Sequence, residues 1–156
     1  MSSLHPVVIA RVVDGPLTPM VEQAALLAEV WSRAREAAGP AAPGVVGAAL
    51  RFEGIVRRGE PSEAHGGDEH ELLALDYQTY DPMAEQELRA LARQIAEEHA
   101  LSSLVALHSR GRVATGEVSF VLMVESPHRA EAIAAMSVFI DRLKQDVPIW
   151  KRPVWK

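Results

Sequence analysis

Ser103-Leu104-Val105-Ala106-Leu107-His108-Ser109-Arg110-Gly111-Arg112-Val113-Ala114-Thr115-Gly116-Glu117-Val118-Ser119-Phe120-Val121-Leu122-Met123-Val124-Glu125 is the stretch that decides the fold. Ser103–His108 and Glu117–Glu125 are apolar runs of strand length, and the segment between them carries Gly111 and Gly116. Two such runs joined through glycines read as strands that turn back on each other. An antiparallel hairpin at this position excludes a purely parallel, doubly wound sheet.

Downstream, Ser126 is placed to cap a helix with Pro127 at its first position. Ile133, Met136, Ile140, Leu143 and Val147 recur every three to four residues, which predicts the buried stripe of that helix. Pro148 stops it, and Ile149–Trp155 reads as extended or irregular. Upstream, Asp81-Pro82 opens a helix from Met83 to about Glu98, rich in Ala, Glu, Leu and Arg. Leu72–Tyr80 reads as a strand. Arg57–His70 has almost no apolar side chain and reads as a mobile loop. Val45–Val56 is a strand whose Gly47 and Gly54 suggest a bulge or a close backbone approach.

Nearer the start, Thr18 can cap a helix with Pro19 first. That helix would run to Ala38, with Val21, Ala24, Ala25, Leu27, Ala28 and Trp31 near one face, before Gly39-Pro40 and Pro43-Gly44 end it. Val7–Val13 is a β-branched strand. No repeat or linker divides the 156 residues. The order predicts a single α+β domain, a mainly antiparallel sheet with three helices.

The absence of cysteine excludes disulfides, thiolate nucleophiles and Cys-type zinc sites. No stretch approaches the roughly 18 apolar residues of a membrane span. The first residues lack the basic start and apolar run of a signal peptide, so the expected compartment is the cytoplasm. His65 and His70 bracket Gly66-Gly67-Asp68-Glu69, but a glycine-rich loop holds no ligand rigidly, and no metal or cofactor is expected.

Charge is distributed unevenly. The chain carries a formal charge of −5, yet Ile140–Lys156 holds five basic and two acidic residues. A basic, aromatic-flanked end on an acidic protein suggests a local anion site rather than a nucleic-acid surface. Lys144 lies in a last helical turn, where an ammonium simply complements the dipole. Lys151 lies beyond the helix stop, so the dipole does not explain it. Either lysine can act as cation, general acid or nucleophile. Arg57 ends a strand, and its guanidinium fork suits a phosphate or carboxylate. His128 and Arg129 fall in the first turn of the last helix. Cations are locally unfavourable there, by about 0.3–1 kcal/mol each, unless an anion compensates. Trp150 and Trp155 suit either stacking on a planar ligand or packing, with packing the commoner use.

Five segments together resemble the large, catalytic subunit of molybdopterin synthase. They are Phe52-Glu53-Gly54-Ile55-Val56-Arg57, Tyr80-Asp81-Pro82-Met83, His108–Gly111, Ser126-Pro127-His128-Arg129, and Leu143-Lys144 through Pro148-Ile149-Trp150-Lys151-Arg152. The resemblance covers about Val45 to Arg152. It implies an α/β hammerhead-like fold, a homodimer, and a small ubiquitin-like sulfur carrier ending in Gly-Gly, bearing a terminal thiocarboxylate. It implies transfer of two sulfurs to cyclic pyranopterin monophosphate, forming the molybdopterin dithiolene. It makes Lys144 and Lys151 catalytic, and Arg57, His128, Arg129 and Arg152 substrate-binding. Members of that family carry a further tail beyond the lysine motif. This sequence runs to Lys156, so that role is absent or falls to another residue. The rival expectation is a non-catalytic α+β dimer that binds an anionic ligand at the same basic end.

Overall fold

The computed structural model describes residues 5–23, 28, 32, 44–63 and 66–156. Its elements in chain order are β1 (Val7–Asp14), α1 (Thr18–Glu22), β2 (Ala48–Ile55), β3 (Gly59–Pro61), β4 (Glu69–Thr79), α2 (Met83–Glu98), β5 (Ser103–Ala114), β6 (Val118–Ser126), α3 (Arg129–Asp146) and β7 (Ile149–Trp155). The architecture is α+β, with three helices and a mainly antiparallel seven-stranded sheet among the described residues. The path β2-β6-β5-β4-β3 carries β1 on β5 and β7 on β4. The β1–β5 pairing is parallel; the other ladders are antiparallel.

The β5–β6 hairpin is the centre of the sheet, and every residue of β6 is buried. Strand alternation sorts its side chains between two faces. Leu104, Ala106, Phe120, Leu122 and Val124 enter the main core, beneath Leu88, Leu91 and Ile95 of α2 and Ala132, Ala135 and Phe139 of α3. Val105, Leu107, Val121 and Met123 pack on the other side with Leu17. Phe139 is fully buried and stacks on Phe120, ring centroids 6.1 Å apart. A third, smaller cluster of Val56, Leu72, Leu75 and Val113 supports the β4–β7 end of the sheet, with Tyr77 and Trp155 packed against it.

Several sequence expectations need correction. β5 does not turn at Gly111. It continues to Ala114, pairing with β1 over 103–110 and with β4 over 111–114. Gly111 has φ +86°, which glycine adopts without steric cost, and it marks the change of partner. Residues 57–70 are not wholly irregular: Gly59–Pro61 pairs with Glu69–Glu71 as a short hairpin arm. Backbone hydrogen bonding, which composition does not report, creates that strand.

Ser126 does not cap α3. His128 is the N-cap, and the Ser126 hydroxyl donates to the His128 carbonyl. The buried face of α3 is Ala132, Ala135 and Phe139, flanked by Met136, Ile140 and Leu143, whereas Ile133 is exposed. Small residues let the helix lie close to the sheet, so the alanine side, not the bulkiest stripe, faces inward. Thr18 likewise does not cap its own helix; Leu17 is the N-cap, and the Thr18 hydroxyl accepts from the Val118 N–H at 2.9 Å. The expected continuation of α1 to Ala38, with Ala24, Ala25, Leu27 and Trp31, falls largely outside the described residues. His65 falls outside them too.

Candidate active site

The basic end of the chain becomes a strand because Pro148 halts α3 and the following Ile149, Trp150, Val154 and Trp155 favour extended backbone. β7 pairs with β4 in the register Thr79↔Ile149, Gln78↔Trp150, Tyr77↔Lys151 and Asp76↔Arg152. Pro153 is tolerated because β7 has β4 as its ladder partner and leaves its other edge free among the described residues. Directly paired residues share a face, and successive ones alternate. Lys151 therefore stands on the Tyr77 face, and Arg152 on the opposite face with Asp76.

Two of the sequence-predicted residues meet at Glu60. The Arg57 guanidinium donates from Nη2 to Glu60 Oε1 at 3.3 Å, and Lys151 Nζ lies 3.4 Å from Glu60 Oε2. Each carboxylate oxygen thus faces one cation. The Glu60 side chain is 17% exposed, against 73% for Arg57 and 55% for Lys151. The carboxylate is thus the shielded partner of two exposed cations, which remain open to an oxyanion from solvent. Sequence reading missed Glu60 because it lies in the segment read as a loop. β3 carries it, and β3 exists only through pairing with β4.

Tyr77 backs this cluster. Its hydroxyl donates to Ser119 Oγ at 3.0 Å, and the Ser119 hydroxyl donates to the Gly54 carbonyl at 3.3 Å. Desolvation by burial pushes the Tyr77 phenol above its ordinary value; the Ser119 bond opposes that shift, and the nearby Glu60 charge reinforces it. The phenol is therefore neutral and fixed at neutral pH. His108 packs edge-on to Tyr77, centroids 5.1 Å apart, and lies 5.7 Å from the Phe120 ring. Burial drives its imidazole below the usual value, only partly opposed by the bond from Nδ1 to the Ser109 carbonyl at 2.8 Å. With Nδ1 donating to that carbonyl, His108 is a neutral wall of the core behind the site. The meeting of the two rings across β4 and β5 was not legible in the sequence.

The remaining candidates are spread along α3. Lys144 is exposed in its last turn. His128 and Arg129 are exposed at its first residues, beside the start of β2, where Gly47 N–H donates to the Ser126 carbonyl at 3.0 Å. The helix is continuous over Arg129–Asp146, so His128 and Lys144 occupy its opposite ends within one chain. Trp150 is exposed, whereas Trp155 packs against the third cluster and lies edge-on to His70. An open groove of about 400 Å³ between α2 and α3, lined by Glu87, Gln94, Arg142 and Asp146 among others, contains none of the candidate residues. Among the described residues, no cluster of three or more His, Asp or Glu side chains is arranged to hold a metal, and no helix is long and apolar enough to cross a membrane.

Comparison with known proteins places the fold and site in context. The chain is 36% identical over 85 residues to the molybdopterin synthase catalytic subunit of Homo sapiens, covering 54% of this chain and 45% of that protein. It is 39% identical over 84 residues to the subunit of the same name from Bacillus subtilis, covering 54% of each. It spans about half the length of these curated relatives. Its fold matches molybdopterin synthase from Staphylococcus aureus with a TM-score of 0.65 at 24% identity, covering all of this chain and 93% of the other. It matches a complex of subunits 1 and 2 of molybdopterin-converting factor from Helicobacter pylori, again with a TM-score of 0.65, at 21% identity, covering 96% and 85%. A family model described as MoaE protein matches residues 20–146. That span takes in the GxVR strand end at Arg57, the α3 entry at His128 and Arg129, and Lys144, and so the chain belongs to the MoaE protein family.

Proposed function

We propose that this protein is the sulfur-transferring catalytic subunit of a molybdopterin synthase. The observation that carries the proposal is the convergence of Arg57 and Lys151 on one carboxylate, in a chain of the MoaE family. Two exposed cations suit a terminal carboxylate or a phosphate. The substrate is cyclic pyranopterin monophosphate. The sulfur arrives on a small ubiquitin-like carrier that ends in Gly-Gly and bears a thiocarboxylate. Because this chain has no cysteine, it supplies no sulfur carrier of its own.

Lys151 and Lys144 supply the cation or general acid beside the thiocarboxylate carbonyl, and Arg57, His128 and Arg129 hold the anionic groups, while Arg152 stands on the opposite face of β7 from Lys151. A glycine tail lacks side chains, so it can thread a narrow channel and bind by main-chain hydrogen bonds. The two-subunit complex of molybdopterin-converting factor among the structural neighbours and the names of the curated relatives support this reading. The working form would be a cytoplasmic heterotetramer built on a homodimer of this chain. Incubation with the thiocarboxylated carrier and cyclic pyranopterin monophosphate, assayed for dithiolene product, tests it. Ligand binding without turnover would instead favour a non-catalytic module.

A further inference from the structure

We propose that Glu60 is a positioning residue that sets Arg57 and Lys151 at a fixed spacing for one incoming oxyanion. The inference rests on the proposed function of Lys151 and goes beyond it, because no step of sulfur transfer by itself requires a carboxylate here.

Three observations carry it. First, the two Glu60 oxygens are divided between the two cations, Oε1 to Arg57 and Oε2 to Lys151, at nearly equal distances of 3.3 and 3.4 Å. Among the described residues neither cation has another ion pair, so Glu60 is their common anchor. Second, burial is graded. The carboxylate is the shielded member of the trio and both cations are exposed to solvent. An anchor should be buried in this way; a carboxylate competing for the ligand's seat would be the exposed partner. Third, Lys151 comes from a distant segment, whereas Arg57 and Glu60 are three residues apart. Glu60 is on β3, Lys151 on β7, and Arg57 follows β2, while β4 pairs with both β3 and β7. Nothing in the ladder itself fixes the Arg57–Lys151 spacing, since neither residue pairs with the other. Glu60 supplies that constraint. A long side chain freed from its partner samples several rotamers, and misplacement by about 1 Å can cost as much as 10²-fold in rate.

The two cations have different roles in the proposed function, and this separates Glu60 from a merely structural residue. Lys151 touches the reacting carbonyl, so its misplacement lowers kcat. Arg57 holds the anion, so its misplacement raises KM. E60A is therefore expected to lower kcat roughly tenfold, within the range that displacing a reacting group produces. It is expected to raise KM about threefold, the size of a lost part-exposed ion pair. In an R57A background the KM effect of E60A should vanish and the kcat effect remain. In a K151A background, followed by single-turnover product formation, the kcat effect should vanish and the KM effect remain. E60D, which keeps the charge, should recover part of both. If E60A does not fold, as judged by circular dichroism, the isosteric E60Q carries the same test. Unchanged kinetics in E60A, or equal losses of both parameters in every background, would overturn the assignment. Full turnover by K151A alone would instead remove the catalytic role of Lys151. In that case the KM effect of E60A, its loss in R57A and its recovery in E60D still report whether Glu60 places Arg57.

Discussion

Lys151 stands opposite Tyr77 in the β4–β7 ladder, so both side chains leave the same face of the sheet. The Tyr77 hydroxyl is committed to Ser119, which makes the ring a fixed wall rather than a partner for the ammonium. Because side chains alternate, a one-residue slip of β7 would exchange Lys151 for Trp150 or Arg152 on that face. The position of Lys151 is thus a question of strand register.

Lys151→Ala and Lys144→Ala should each slow dithiolene formation by roughly 10²–10⁴-fold, the usual contribution of a general acid or nucleophile. Both side chains are exposed, so thermal unfolding midpoints should stay close to wild type. Near-normal turnover in both variants would remove the lysines from the chemistry.

The active site should be shared between subunits. His128 and Lys144 are sixteen positions apart on one continuous helix. That is about 24 Å along the axis at 1.5 Å per residue, too far for one small pterin to touch both. In a two-fold dimer, His128 and Arg129 of one protomer can approach Lys144 and Lys151 of its partner. Mixing Lys151→Ala with Arg129→Ala protein should then restore part of the lost activity, since each heterodimer regains one complete site. Failure of rescue, with subunit exchange verified by mass spectrometry, would mean that each chain builds its site alone.

His108 should make the fold acid-sensitive. Its buried imidazole has a folded pKa below the ordinary value of 6.5. As pH falls, the unfolded chain takes up the proton first. The stability this group contributes is present above pH 6.5 and is lost as pH drops through that value towards the folded pKa. Urea midpoints measured from pH 7.5 down to 5 should fall for wild type and fall less for His108→Asn. Parallel profiles would show that another group dominates the acid response.

Gly47→Ala should destabilise the entry to α3. A Cβ at Gly47 would lie 2.2 Å from the Pro127 carbonyl oxygen, and backbone cannot swing aside as a flexible side chain can. A cost of about 1–3 kcal/mol is expected, as for other forced overpacking. Denaturant unfolding would measure it. Since Pro127 precedes His128 and Arg129, substrate KM should rise as well. An unchanged midpoint would indicate that β2 and the α3 entry relax apart freely.

Much of the fold was legible in order and type. Met83–Glu98 is a helix with the limits its composition suggested, because strong helix formers and apolar spacing agree there. The β5–β6 hairpin was visible, but its length was not. Gly111 looks like a turn residue in sequence and proves to be a φ +86° position inside a strand, a state that depends on which strand pairs with it. The α3 stripe was misassigned at Ile133 because periodicity detects a face without saying whether Ala or Ile will meet the sheet.

The sequence by itself determined the chemistry available to this protein: a basic, aromatic-flanked end, no thiol, and an arginine at a strand end. Those follow from residue identity and local spacing, which a chain carries whether folded or not. The tertiary structure alone decided which charges meet. Arg57 and Glu60 are neighbours in sequence, but Lys151 reaches Glu60 only through the path of the folded chain, since Glu60 stands opposite His70 and Lys151 opposite Tyr77 on β4. The pairing of β7 with β4 likewise sets Lys151 and Arg152 on opposite faces, since residues 149–155 are a strand only through that ladder.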